Sequence, residues 1–146
     1  MQTLRQFVSG TDFSECAEQA LELAVQLAVA ALARVTVVHV CELDVDERRL
    51  NQCQEALSKV VARHRRSGVE VTGVLRCGKP WKKLDNVAAE VGASLIVVGR
   101  HGAGRGRSVA IGSVADQLVR SANRAVLTVT CDFDCLDNEA NATDHL

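Results

Sequence analysis

The sequence predicts an α/β domain in which an open, parallel five-stranded sheet carries helices on both faces. Three observations point there. Short apolar runs alternate along the chain with longer stretches of helical period. The run at residues 35–40 is nearly all apolar, as in a central strand covered on both sides. The runs are separated by stretches long enough for a crossover helix, which parallel pairing requires. At 146 residues the chain has the length of one domain.

The elements follow in order. Residues 4–10 form a first strand that ends in Thr11-Asp12. Asp12-x-x-Glu15 has the form of a capping box and opens a long helix to about residue 33. The strand at 35–40 comes next. Val45, Leu50, Cys53, Leu57, Val60, Val61 and His64 then recur near helical spacing, and Ser67-Gly68 suits the end of that helix. Arg63-His64-Arg65-Arg66 reads as a solvated helix end, where positive charge suits the dipole. Val69, Val71 and Gly73 alternate with polar residues, which predicts a third strand near a sheet edge.

Gly78-Lys79-Pro80 starts a third helix, with the only proline of the chain in its first turn and Trp81 as a packing residue. Residues 95–98 are a short buried strand, 99–111 are rich in Gly and Arg, Ser113-x-x-Asp116 opens a fourth helix, and residues 125–129 are a fifth strand. The domain is expected over residues 1–131, with 132–146 as an acidic, mobile tail.

Composition narrows the functional classes. Net charge is −1, so no global basic field holds nucleic acid. Five acidic residues and no Lys or Arg stand in 132–146, which leaves the rest of the chain at +4. Aromatics make up 3%, too few for a mechanism that stacks successive bases. The most apolar stretch, residues 17–33, contains Glu18 and Glu22 and reads as a helix of the domain, not a membrane span. The first ten residues lack a signal-peptide core, so a cytoplasmic setting is expected. The six cysteines (16, 41, 53, 77, 131 and 135) form no CxxC pair and no zinc-like spacing, so no metal site is legible. Cys131 and Cys135 are the nearest pair and the candidate for a redox switch.

The segment that carries chemistry is Gly99-Arg100-His101-Gly102, then nine residues, then Gly112-Ser113. It follows a buried strand and leads into a helix, where an open α/β sheet binds ligands. Glycines let backbone N–H groups approach phosphate oxygens, and a helix N-terminus adds unpaired N–H groups and a positive dipole end. The Ser113 hydroxyl can cap that helix and donate to a phosphate, and Arg100, Arg105 and Arg107 bring positive charge. A Walker A loop is excluded, because no Gly-Lys-Ser/Thr triplet exists. A dinucleotide fingerprint is excluded, because 102–106 follow the fourth strand and no helix opens directly from them. His39 reads as a hydrogen-bonded core residue, and His101 as a phosphate contact without a partner that would make it a general base.

Gly-x2-Gly-x9-Gly-Ser resembles the nucleotide-binding signature of the universal stress protein family. Thr11-Asp12-Phe13-Ser14-Glu15 is similar to the family's first loop, Val37-Val38-His39-Val40 to its second strand, and Gly112-Ser113-Val114-Ala115 to its last helix start. The likeness runs over about residues 3–130. It implies an adenine nucleotide alpha hydrolase-like fold with strand order 3-2-1-4-5, in which the Asp12 loop lies beside the glycine loop. It implies a bound ATP or AMP, with Mg2+ able to accompany ATP. Asp12 would face ribose and phosphate while also serving as a cap, and Val40 would meet adenine through backbone groups. Gly99, Gly102, Gly112, Ser113 and Val114 would hold ribose and phosphates, with Thr11 and Val98 as backbone neighbours.

A regulatory, nucleotide-dependent stress role follows from the resemblance, with at most slow ATP hydrolysis or autophosphorylation and no assignable catalytic residue. The other class open to the sequence is a stress-related interaction module that binds no nucleotide. Ser9-Gly10-Thr11-Asp12-Phe13-Ser14 also resembles, distantly, the pyrophosphate loop of ATP pyrophosphatases, but lacks its second glycine. The fifth strand is apolar and carries no Lys or Pro to guard an edge, so a homodimer through it is expected. The resemblance implies the same.

Overall fold

Strand and helix alternate throughout the structure, a computed structural model that describes residues 5–66, 68–101 and 112–131. The elements are β1 (Arg5–Gly10), α1 (Glu15–Ala31), β2 (Ala33–Cys41), α2 (Glu47–His64), β3 (Val71–Cys77), α3 (Pro80–Val91), β4 (Leu95–Gly99), α4 (Ser113–Ser121) and β5 (Ala125–Val129). All pairings are parallel, in the order β3-β2-β1-β4-β5 that the family resemblance implies. The alternating third strand lies at one edge and β5 at the other.

Side chains alternate across the strands with period two. Phe7, Val35 and Val37 pack with Leu21 and Val25 of α1 and Leu57, Val60 and Val61 of α2. Val8, Val38, Ile96 and Val98 pack on the other face with Leu84 and Val87 of α3 and Leu118 of α4. Helices therefore cover both faces. Trp81 joins the second cluster as a packing residue.

Four local expectations are corrected. Ser14, not Asp12, caps α1: its hydroxyl accepts from the Ala17 N–H at 3.2 Å, while Asp12 Oδ1 accepts from the Ser14 N–H at 3.0 Å. The β1 strand ends with the Thr11 N–H on the Val38 carbonyl (2.8 Å), which places Ser14 at the helix entry. At α4 the cap is Gly112, with no side-chain hydrogen bond, and Ser113 is already helical. The α2 helix ends on an extended Arg65, and Gly68, at φ 86°, serves a later turn closed by Val69 N–H on the Arg66 carbonyl (3.1 Å).

The fourth correction concerns the basic run at residues 63–66, whose arginines are exposed but which is also an ion-paired clamp around the buried His64. Arg63 pairs with Glu18, and Arg66 with Glu22 at 2.9 Å. His64, only 6% exposed, sets Nε2 on Glu18 and Nδ1 on Glu22 (3.1 Å). Both carboxylates project from α1, so this clamp joins the two helices of one face. No described helix is long and apolar enough to cross a membrane.

Candidate functional site

The β1 and β4 strands pair directly, yet the chain leaves β1 for α1 on one face and β4 for α4 on the other. Their connections diverge, and a crevice opens at the carboxyl ends of the strands. A cavity of about 300 Å³ lies there, at the lower end of the volumes that hold small ligands. Thr11, Asp12, Val40, Val98, Gly99, Gly112, Ser113 and Val114 all line it. Gly102, Arg105 and Arg107 lie outside the described residues, as do Cys135 and residues 132–146.

The first arm is the β1–α1 turn. Thr11 Oγ1 accepts from the Phe13 N–H at 3.0 Å, and Asp12 and Ser14 make the two bonds already described. Phe13 is held at φ 66°, an unusual conformation for a bulky side chain. Its ring lies 4.3 Å from that of His39. His39 Nδ1 stands 2.8 Å from the Thr11 carbonyl, so the half-buried histidine ties β2 to the turn as the hydrogen-bonded residue the sequence suggests.

The second arm is the β4–α4 connection. Here a glycine is required by close approach: a Cβ on Gly99 would stand 3.1 Å from the backbone carbonyl carbon and oxygen of Cys16 and 2.9 Å from its sulfur. Gly99 thus lets α1 begin against the end of β4. The Arg100 N–H donates to the Val129 carbonyl (2.8 Å), and the Gly112 N–H to the Arg100 carbonyl (2.7 Å). This last bond brings the two ends of the glycine segment together and sets the first turn of α4 at the cavity.

The walls are apolar: Val38, Val40, Leu84, Val98 and Val114. Asp12 is the one carboxylate among the described lining residues. His101 is 7% exposed, and among the described residues its Nδ1 has no hydrogen-bond partner. A buried, unpartnered nitrogen on a cavity wall is costly unless something there accepts from it or donates to it. Pro80 and Leu84 also line the cavity and were not singled out from sequence. The signal was present, since α3 opens just past the carboxyl end of β3, on the side where α/β sheets bind.

The sequence model of the universal stress protein family matches residues 3–130. The chain belongs to that family. Solved structures of other members agree with the fold. A universal stress protein family member from Burkholderia pseudomallei is 30% identical, with 85% of this chain and 94% of that one covered at a TM-score of 0.67. The Archaeoglobus fulgidus universal stress protein, solved in complex with dAMP, is 28% identical over 88% of this chain and 98% of that one, with a TM-score of 0.70. A universal stress protein solved in complex with cAMP is 25% identical over 88% and 98%, with a TM-score of 0.67. No curated protein matches the chain significantly.

In this universal stress protein the cysteines are not scattered as their spacing suggests. Cys41 ends β2 beside Cys77 of β3, and Cys53 of α2 comes up against Cys41. Burial, the Cys53 hydrogen bond and the neighbouring thiols push the Cys41 thiol up to about 12. No disulfide links the described cysteines.

Proposed function

We propose that the cavity binds an adenine nucleotide, ATP or AMP, and that this universal stress protein acts in a stress response through its nucleotide occupancy. The observation that carries this is the meeting of the Thr11-Asp12 turn and the Gly99 and Gly112-Ser113 segment around one apolar-walled space, with the unpartnered His101 on its wall. Relatives solved with dAMP and cAMP support the choice of adenine. In this reading the apolar walls take the base, with Val40 offering backbone groups. Asp12 faces the ribose, and the Gly112 N-cap, the first turn of α4 and the Ser113 hydroxyl donate to phosphate oxygens. With ATP, Mg2+ would accompany the phosphates, and Asp12 is the one carboxylate among the described lining residues. Turnover is at most slow hydrolysis or autophosphorylation, for which electrostatic positioning with a metal suffices.

At ATP about 100-fold above Kd, binding adds about 2.7 kcal/mol of stability and raises Tm by about 5–11 °C. Mass spectrometry of ligand released by heat tells ATP from AMP. No shift with millimolar ATP-Mg2+ or AMP, together with no co-purified nucleotide, would overturn the reading in favour of an interaction module.

The homodimer is part of the same proposal. The β5 strand closes the sheet with its outer side unpaired among the described residues, and Val126, Leu127 and Val129 are only half-buried. Antiparallel pairing with a second copy satisfies that edge. Val129→Lys should shift the sedimenting species to monomer, and a parent that is monomeric at tens of micromolar with and without ATP would rule the dimer out.

A further inference from the structure

Beside the nucleotide cavity, whose lining includes His39, the fold gathers residues that no sequence motif joins. Alternation along β2 puts His39 and Cys41 on the side of Val35 and Val37, facing α2. Cys77 stands in register with Cys41 on the neighbouring strand, so its side chain leaves the sheet on the same side. Cys53 comes from the buried stripe of α2. A ring nitrogen of His39 and the sulfurs of Cys41 and Cys53 all lie within 4.8 Å of one another. Cys41 and Cys53 are each only 5% exposed.

We propose that His39, Cys41 and Cys53, completed by Cys77, bind one thiophilic cation, Zn2+ or Cu+. Thiolate and imidazole are the ligands such ions select. With Zn–S near 2.3 Å and Zn–N near 2.0 Å, a tetrahedral ion spaces its ligand atoms by about 3.5–3.8 Å. The ligand atoms of His39, Cys41 and Cys53, already within 4.8 Å of one another, reach that spacing by closing about an ångström. The His39 imidazole already has the support a metal-binding histidine uses: with Nδ1–H donating to the Thr11 carbonyl at 2.8 Å, Nε2 keeps its lone pair for the ion. The Phe13 ring packs beside the imidazole, with ring centroids 4.3 Å apart. Each thiol that ligates gives its proton to solvent, so three thiols and Zn2+ form a complex of net charge −1. The Arg49 charge, which reaches Cys41, offsets it.

The test uses the full chain, reduced and stripped of metal, titrated with Co2+ and then Zn2+. One Co2+ per chain should bind with the visible bands of a tetrahedral thiolate site, and one Zn2+ should displace it and raise Tm. Cys41→Ala and Cys53→Ala should each weaken binding at least about 100-fold, since even outer-shell partners of a metal matter about 10–100-fold. Cys16→Ala and Cys131→Ala should bind as the parent does. A parallel titration with Cu+ against a chelator separates the two ions: stoichiometric Cu+ binding lost in the same two variants also supports the site. The proposal is overturned if the parent takes up neither ion stoichiometrically, or if uptake survives loss of Cys41 and Cys53 together. The parent titration requires no variant to fold, and none of these readouts depends on nucleotide.

Discussion

At the α1–α2 junction, Glu18 and Glu22 meet Arg63, His64 and Arg66, and each charge has a partner across the helix pair. At the carboxyl ends of β1 and β4, His101 is as buried as His64 but its Nδ1 has no partner among the described residues, and Gly112 caps α4 with no side-chain bond. Two histidines of equal burial thus have opposite surroundings. Polar groups that hold helices together are satisfied within the chain. At the cavity, Thr11, Asp12 and His39 are also bonded within the chain, and the His101 nitrogen is the group without a partner among the described residues.

The comparison is sharpened first by His64→Ala. Removing it leaves Glu18 and Glu22 short of a partner. Their side chains are 26% and 38% exposed, so water recovers part of the loss. Stability should fall by about 1–3 kcal/mol and Tm by about 3–10 °C, with ATP affinity unchanged. A matching loss of affinity would mean that the clamp and the cavity are coupled.

Gly112→Val acts the other way. At φ −63° the position accepts any residue, so the change adds bulk to the cavity without backbone strain. ATP affinity should drop at least tenfold, about 1.4 kcal/mol, while urea unfolding stays within about 1 kcal/mol of the parent. Asp12→Ala should behave alike but more mildly. Affinity equal to the parent in both folded variants would place the nucleotide elsewhere.

His101→Ala tests the unpartnered nitrogen directly. Calorimetry should record an affinity loss of about three- to tenfold, close to one hydrogen bond to a charged group. Stability without nucleotide should stay level or rise. A stability loss as large as that of His64→Ala would break the contrast between the two histidines.

The smallest effect is on pH. Burial raises the Glu22 carboxyl, but the charge and hydrogen bond of Arg66, with the charge of His64, outweigh it and hold Glu22 below its ordinary 4.5. A carboxylate held low stabilises the fold above its unfolded pKa, and that stability is lost as pH falls through the folded value. The contribution of Glu22 to the clamp should therefore be lost as pH falls below about 4.5. Glu22→Gln should flatten the acid limb of a Tm-against-pH curve and leave the curve near pH 7 parallel to the parent's.

The sequence by itself determined the strands and helices, because the alternation of strand and helix periods and the Val-rich runs are local signals. It also marked both arms of the cavity, because a close turn and a close backbone approach demand glycine and small polar residues in short, recognisable strings. Only the tertiary structure decided what depends on residues far apart in the chain. Asp12 and Ser14 are both competent caps, and the end of β1 on the Val38 carbonyl chose Ser14. The basic run at 63–66 looks solvated until α2 docks on α1 and brings Glu18 and Glu22 beneath it. Leu84 reaches the cavity only because α3 lies over the carboxyl ends of the strands. His39, Cys41 and Cys53 become neighbours through the side-chain alternation of β2 and the docking of α2, and no spacing along the chain encodes the register and helix packing that produce such meetings.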